Sequence, residues 1–250
     1  YFEPDGDDHA LCLYDPLKDR YIIKRTSPRN VLSVRTTDEK LALLTPLEEP
    51  DVQEANRLLL EIIDPESERH LLRYEIKDDQ ANKLSFLRVF DDRDHYYVNL
   101  QHHDNSPDLP RQYYPAGDTL LENVTIRGKM LAFDKQTGKL LWKKTFQPAS
   151  VIRLEPYRLP VLILVSRTRD RMNPNLHSLA VEAIDTRTGK SLGFHDEILT
   201  DRLVYGTYDP HKQRVSLTGH RTTIHLDLLS EETKALYLQA TGSFQGLDLR

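Results

Sequence analysis

The chain is poor in three things, and each absence removes a class of protein. It has one cysteine, Cys12, so no internal disulfide can form, and thiol chemistry neither staples the fold nor reports its compartment. Cys12 sits in Leu11-Cys12-Leu13-Tyr14 and reads as a small buried apolar residue. Long apolar runs are missing: the longest, Leu159 to Val165, contains Pro160 and has the length of a strand, whereas a bilayer-spanning helix needs about 20 residues. An excess of positive charge is missing too. The net charge is −5 and the pI about 6.1, against the clustered Lys and Arg of a nucleic-acid footprint. The one basic patch, Arg167-Thr168-Arg169-Asp170-Arg171, is short and reads as a solvated loop. The first residue is Tyr1, with no signal peptide, and the expectation is a piece of a longer protein.

With 250 residues, 38% of them hydrophobic and 29% charged, the chain has the composition of a globular protein and can bury a sizeable core. Its organising stretch is Ala132-Phe133-Asp134-Lys135-Gln136-Thr137-Gly138-Lys139-Leu140-Leu141-Trp142, two apolar strands around a polar turn. Asp134 can accept hydrogen bonds from the turn backbone, and Gly138 supplies the φ > 0 position a compact hairpin loop needs. The second strand ends in the only Trp. The same hairpin recurs around Asp15, Asp64 and Asp185, so that the four copies stand 49, 70 and 51 residues apart. A unit of about 50 residues fits a four-stranded propeller blade, and the longer spacing leaves an insertion of about 20. The Gly of the turn is kept at Gly138 and Gly189 and replaced by Asp19 and Glu68. The Trp position holds Ile23, Leu72 and Gly193 in the other copies.

The motif Ala-x-Asp-x-x-Thr-Gly-x-x-x-Trp, complete at Ala132, Asp134, Thr137, Gly138 and Trp142, resembles the repeat signature of quinoprotein-like β-propellers. The expected fold is therefore all-β, a propeller segment of four-stranded antiparallel blades over 1–228. A partial blade covers about 10–25. Three whole blades follow, with strands near 31–36, 40–45, 57–63 and 70–76; then 84–90, 95–100, 129–134 and 139–145; then 150–155, 160–167, 177–184 and 190–194. A last partial blade takes 202–208, 213–219 and 222–228, opening at Asp209-Pro210. Segment 51–63 has an alternative helical start at Asp51. A short helix is possible from Ser230 to Ala240, and 229–250 reads as a C-terminal tail. Rings of this superfamily usually have seven or eight blades, so the resemblance implies that the chain is the C-terminal part of a larger propeller.

The insertion, 101–128, carries His102, His103, Asp104, Pro107, Pro110, Tyr113, Tyr114 and Pro115. With His95 it offers ligand chemistry for a divalent ion, but adjacent His102 and His103 point apart in an extended segment. The reading is a proline-stiffened loop in which His102, His103, Tyr113 and Tyr114 contact a partner. Asp91-Asp92-Arg93-Asp94 lacks the glycine and spaced oxygens of a calcium loop and reads as a turn. Ser178 follows His177, and adjacent side chains of a strand face opposite sides; Thr218 and His220 flank Gly219. No nucleophile stands beside a base. Asn123-Val124-Thr125 matches a glycosylation acceptor, relevant only in a secretory setting.

The resemblance implies two kinds of activity. Dehydrogenases of the superfamily bind pyrroloquinoline quinone on the propeller axis, with calcium and often a disulfide of adjacent cysteines. Its other branch, represented by the propeller lipoprotein of the outer-membrane barrel-assembly machine, binds protein partners without a cofactor. One Cys, one Trp and no recognisable calcium set direct the expectation to the second: a non-catalytic scaffold, without cofactor or metal, outside the cytoplasm. Its partner would be a protein or further blades of its own longer chain, with no nucleic acid and no membrane span. The structural repeat residues are Asp15, Asp64, Asp134, Gly138, Trp142, Asp185 and Gly189.

Overall fold

The computed structural model describes residues 2–5, 8–15, 19–27, 31–47, 57–102, 111–115, 123–152, 154, 159–170, 177–198, 203–219, 222–228 and 236–242. It is an all-β protein whose strand pairs are antiparallel, as alternating apolar positions and polar turns require. The chain divides into two compact units, one of Tyr1–Asn105 with Lys129–Leu140 and one of Ser106–Gly128 with Leu141–Arg250.

The first unit begins with a three-stranded sheet, β1 (Phe2–Asp5), β2 (Asp8–Asp15) and β3 (Arg20–Ser27). A four-stranded meander follows: β4 (Leu32–Arg35), β5 (Leu41–Leu47), β6 (Arg57–Asp64) and β7 (Arg69–Lys77). A single 3-10 turn, Ala81–Lys83, leads to β8 (Leu84–Asp91) and β9 (His95–His102). Two strands then belong to the part of the chain around the insertion, β10 (Arg111–Pro115) and β11 (Asn123–Asp134). Within this unit β11 pairs with β9 from Lys129↔Leu100 to Asp134↔His95.

Alternation fills the space between the sheets. Ala42, Leu44, Leu58, Leu60, Ile62, Leu72 and Ile76 pack against Leu87, Val89, Tyr96, Val98, Leu100, Leu131 and Phe133. Tyr74 meets the Phe133 ring edge-on at 5.1 Å. A fully buried Leu or Ile at such positions contributes about 1.5–3 kcal/mol relative to an exposed one. On the opposite face of the meander, Val31, Leu43 and Ile63 form a smaller cluster. Both faces are therefore lined with buried apolar residues, which explains why β5 and β6 read as nearly continuous apolar runs.

The second unit contains β12 (Leu140–Ile152), from Leu141 on, with β13 (Val161–Asp170), β14 (His177–Asp185) and β15 (Ser191–Ile198), in that order across the sheet. A four-stranded meander closes the chain: β16 (Leu203–Asp209), β17 (Arg214–Gly219), β18 (Thr222–Leu228) and β19 (Leu236–Gly242). Ile152, Val161, Ile163, Val165, Leu179, Val181 and Ala183 pack against Val215, Leu217, Ile224 and Leu226. The outer side of the last meander is polar, with the pairs Arg214–Asp227 and Ser216–His225 bridging β17 and β18.

Several sequence expectations need correction. The two strands expected at 139–145 and 150–155 are one, β12. Pro148, inside this strand, precedes the first residue of the β12–β13 ladder, Ser150, so its missing N–H removes no bond of that ladder. The insertion is not all loop: β10 pairs with the C-terminal half of β13, Arg111↔Asp170 to Pro115↔Ser166. Arg167 to Asp170 accordingly lie in a strand and not in a loop; Arg171 is outside the described residues. The C-terminal segment read as a helix and then a tail contains β19, in register with β18 from Leu236↔Leu228 to Gly242↔Thr222. Residues 57–64 are strand from Arg57, as the repeat register requires, while 51–56 and the opening of the expected C-terminal helix lie outside the described residues.

Candidate functional site

The repeated turns are the frame on which any site is mounted. Asp134 accepts from the Thr137 N–H at 2.7 Å and the Thr137 hydroxyl at 2.6 Å. Asp185 accepts from the Thr188 N–H at 2.7 Å and hydroxyl at 2.9 Å. In Asp64 the same role falls to the Glu66 N–H and the Ser67 hydroxyl. A further copy, Asp209, accepts from the N–H groups of His211 and Lys212. The Thr137 hydroxyl and N–H hold the Asp134 carboxyl below the ordinary carboxylate range.

Four residues after each Asp the backbone turns left-handed, at Asp19 (φ 48°), Glu68 (58°), Gly138 (66°), Gly189 (68°) and Gln213 (47°). Two of these five positions kept the glycine that such a φ favours. Successive turns also touch. Gly138 faces the Leu71 carbonyl and Leu72, Gly189 lies under the Trp142 ring, and Arg20 reaches Glu68.

The insertion leaves this frame between His102 and Lys129, and one carboxylate faces both ends. Asp78, 4% exposed, follows β7 in a turn that its own Oδ1 stabilises by accepting from the Gln80 N–H at 3.0 Å. Its Oδ2 lies 2.9 Å from Lys129 Nζ and 3.2 Å from His102 Nε2. Burial raises the pKa of this carboxyl, but the Lys129 hydrogen bond, the Gln80 N–H and the charges of Lys129 and His102 outweigh it, leaving the pKa below the ordinary value. Next to the clasp, Asn99 Nδ2 donates to the Lys129 carbonyl at 3.1 Å and Gln101 Nε2 donates to Asn99 Oδ1 at 2.9 Å.

A second cluster caps the β8–β9 turn. Asp92 accepts from His95 N–H at 2.7 Å, from His95 Nδ1 at 3.0 Å and from the Tyr97 hydroxyl at 2.6 Å. The Asp92 hydrogen bond raises the His95 pKa against the opposing effect of burial. For Asp92 itself, burial is outweighed by the bonds from His95 and Tyr97, and its pKa is lowered. A third cluster joins Lys135 to Asp91 at 2.6 Å and Asp38 at 3.1 Å, with the ammonium 4.6 Å from the Tyr96 ring centroid.

The sequence-predicted site residues distribute as follows. His95 and His102 open and close β9, about 23 Å apart at strand rise, which separates them as ligands of one ion. His103 lies outside the described residues. Tyr113 and Tyr114 lie in β10, in register with Thr168 and Arg167. Asp91 to Asp94 form the turn that was expected. Of the repeat residues, Asp15 ends β2 opposite Arg20, and Asp64, Asp134, Gly138, Trp142, Asp185 and Gly189 occupy equivalent turns or contacts. Among the described residues no group of three His, Cys, Asp or Glu side chains is placed to hold a metal, and no helix is long and apolar enough to cross a membrane. Sequence reasoning missed Asp78 and Asp38, whose partners lie 51 and 97 positions away.

No protein-family model and no curated protein matches the chain. Among solved structures it is similar to a europium-containing methanol dehydrogenase, at 10% identity and a TM-score of 0.29, with 98% of this chain and 66% of that one covered. It is also similar to a putative 6-phosphogluconolactonase from Bacteroides fragilis, at 10% identity and a TM-score of 0.24, with 94% and 77% covered. Likenesses of this strength set neither the function nor the detailed fold. What stands is an all-β, antiparallel protein built on a recurring aspartate turn.

Proposed function

We propose that this chain is a propeller-type scaffold, its meanders stacked as blades, that holds a protein partner through the 101–128 insertion outside the cytoplasm. The observation that carries the reading is the pinning of both ends of the insertion by Asp78, at His102 and Lys129. A long segment mounted on a fixed base is what a rigid scaffold offers a partner. Tyr113 and Tyr114 are the contact residues proposed within it, with His102 and His103 at its entrance; large amphipathic rings contribute contact area at low entropic cost.

The alternative is a quinone-dependent dehydrogenase, and the residues described fit its cofactor poorly. The single Trp, which could have stacked on a planar quinone, is 7% exposed and committed to Gly189 and the Thr186 carbonyl. The acidic side chains Asp38, Asp78, Asp91 and Asp92 are engaged with Lys135, Lys129, His102 or His95. No step is derived through the quinone.

Two measurements test the proposal. Replacing Tyr113 and Tyr114 by alanine is expected to abolish capture of one defined protein from an extract while leaving the unfolding transition in place. Adding pyrroloquinoline quinone with calcium is expected to give no dye-linked alcohol oxidation. Turnover, or capture indifferent to the replacement, overturns the scaffold reading.

A further inference from the structure

Within the second unit, β12 walls a small cavity before it joins the sheet. Its ladder with β13 starts at Ser150, and the stretch ahead of that, Lys144 to Gln147, encloses a cavity of about 170 Å³ over the sheet face that carries Leu164, Ser166, Ala180 and Glu182. These four share a face because Leu164 pairs with Glu182 and Ser166 with Ala180, and alternate residues of a strand point the same way. Val165 and Val181, on the opposite face, belong to the core beneath the last meander. The hollow exists because Ala149, Ser166 and Ala180 are too short to fill it. Phe146, Leu164 and Ala180 are buried, and the Ser166 hydroxyl joins them with that residue 8% exposed. A lining that is mostly apolar with a few polar groups is that of a small-molecule site. The volume is close to the roughly 150 Å³ that accommodates benzene, so the occupant has about six to nine heavy atoms.

One ion pair marks the mouth. Lys144 Nζ lies 3.0 Å from Glu182 Oε1, the two side chains being 32% and 22% exposed, and 5.2 Å from the Phe146 ring centroid. An ammonium is therefore held between a carboxylate and the face of a ring, two groups that each attract a cation. A partly exposed pair of this kind contributes little to stability, so parting it costs little, provided each partner finds a new counter-charge. A molecule that carries an ammonium and a carboxylate on one carbon supplies both. Its carboxylate takes Lys144, its ammonium takes Glu182, and its side chain enters the hollow against Leu164, Ala180 and Phe146. A ligand with one charge leaves one partner of the pair unmatched. We propose that this cavity binds a small zwitterion with an aliphatic side chain, the chemical class of the free aliphatic α-amino acids, with Lys144 and Glu182 holding its two charged ends. The site makes no use of Tyr113 or Tyr114 and stands apart from the scaffold reading.

Isothermal titration calorimetry of the full chain with L-leucine tests this. One-site, saturable binding is expected. L-leucinamide, which lacks the carboxylate, and N-acetyl-L-leucine, which lacks the ammonium, should each bind at least about tenfold more weakly, the loss of one charge-assisted hydrogen bond. Ala180→Leu fills the hollow while leaving the ion pair in place, and should abolish binding. If that variant fails to fold, Glu182→Gln decides: it should weaken L-leucine by about the same tenfold factor and close the gap between L-leucine and N-acetyl-L-leucine. No saturable heat with L-leucine up to about 10 mM, equal affinities for the three ligands, or binding untouched by Glu182→Gln overturns the proposal. None of these readouts involves partner capture, so failure of this site and failure of the scaffold reading remain distinct.

Discussion

The indole of Trp142 lies flat against the Cα of Gly189: a Cβ built on that glycine would come 2.7 Å from ring atoms Cγ and Cδ2. The ring nitrogen donates to the Thr186 carbonyl at 2.7 Å, so one side chain is fixed by shape and by a directed bond in the same turn. Trp142→Ala should cost about 3–5 kcal/mol through the hollow it leaves. Trp142→Phe should cost less, since it keeps most of the ring but strands a buried carbonyl, a loss of about 1–3 kcal/mol. Urea unfolding of the two variants checks the order.

The two turn glycines differ in what surrounds them, and that difference is measurable. At Gly138 an added Cβ would meet only ordinary contacts, the Leu71 carbonyl at 3.5 Å and Leu72 at 3.7 Å, so Gly138→Ala should cost about 1 kcal/mol for the left-handed backbone alone. Gly189→Ala adds a collision with Trp142 and should cost clearly more. In the background of Trp142→Ala the excess should vanish, which a double-mutant cycle detects. Equal costs for the two glycines would refute the packing argument.

How much of this was legible in the sequence depends on range. The aspartate turns are local, with carboxylate and hydroxyl three residues apart, so Asp134-x-x-Thr137 and Asp185-x-x-Thr188 could be read directly. The strands followed from alternation, and most of the expected blade segments coincide with observed strands. The copies at Asp15 and Asp64 were legible from the spacing although Asp19 and Glu68 stand at the left-handed position; the copy at Asp209, with Gln213 there, was read only as the opening of a hairpin. The β10–β13 pairing and the Asp78 clasp join residues tens of positions apart, and no periodicity marks such contacts. Likewise β12 was divided because the expected four-strand repeat assigned 139–145 and 150–155 to different blades, whereas one strand runs through both.

Stability should fall on both sides of a middle pH range, for reasons that sit at the β8–β9 turn and in the turn after β7. Asp92 raises the His95 pKa, so that contribution is complete below the ordinary imidazole value of about 6.5 and is lost as pH rises through the higher folded value. The lowered pKa values of Asp78 and Asp92 act in the opposite sense, their contribution being present above the ordinary carboxylate value and lost as pH falls through the folded one. The denaturation midpoint of His95→Gln should decline less steeply than that of the unaltered protein on the alkaline side. An identical alkaline slope would assign the loss to another group.

In the first unit the ammonium of Lys135 serves two carboxylates. It bridges Asp91 at the end of β8 to Asp38 in the β4–β5 turn, and Asp91 in turn accepts from the Thr37 N–H at 3.0 Å. Lys135→Met keeps the stem that covers the Tyr96 ring but removes the charge. It leaves Asp38 and Asp91 facing each other with their counter-ion gone, and should destabilise by about 3 kcal/mol, near the lower end for breaking a buried pair, since Asp38 retains some contact with water. Asp38 now has a pKa below the ordinary carboxylate value, burial being outweighed by the Thr36 hydroxyl and by Lys135. Without the lysine two of the effects that hold the Asp38 pKa down are gone, so Lys135→Met should recover stability relative to the unaltered protein as pH drops towards 4. Adding Asp38→Asn to Lys135→Met should restore much of the loss at neutral pH, because the amide ends the like-charge contact and can still accept from Thr36. A penalty that is the same at pH 4 and pH 7, or a double variant no more stable than Lys135→Met alone, would show that the lysine acts through packing on Tyr96 and not through charge.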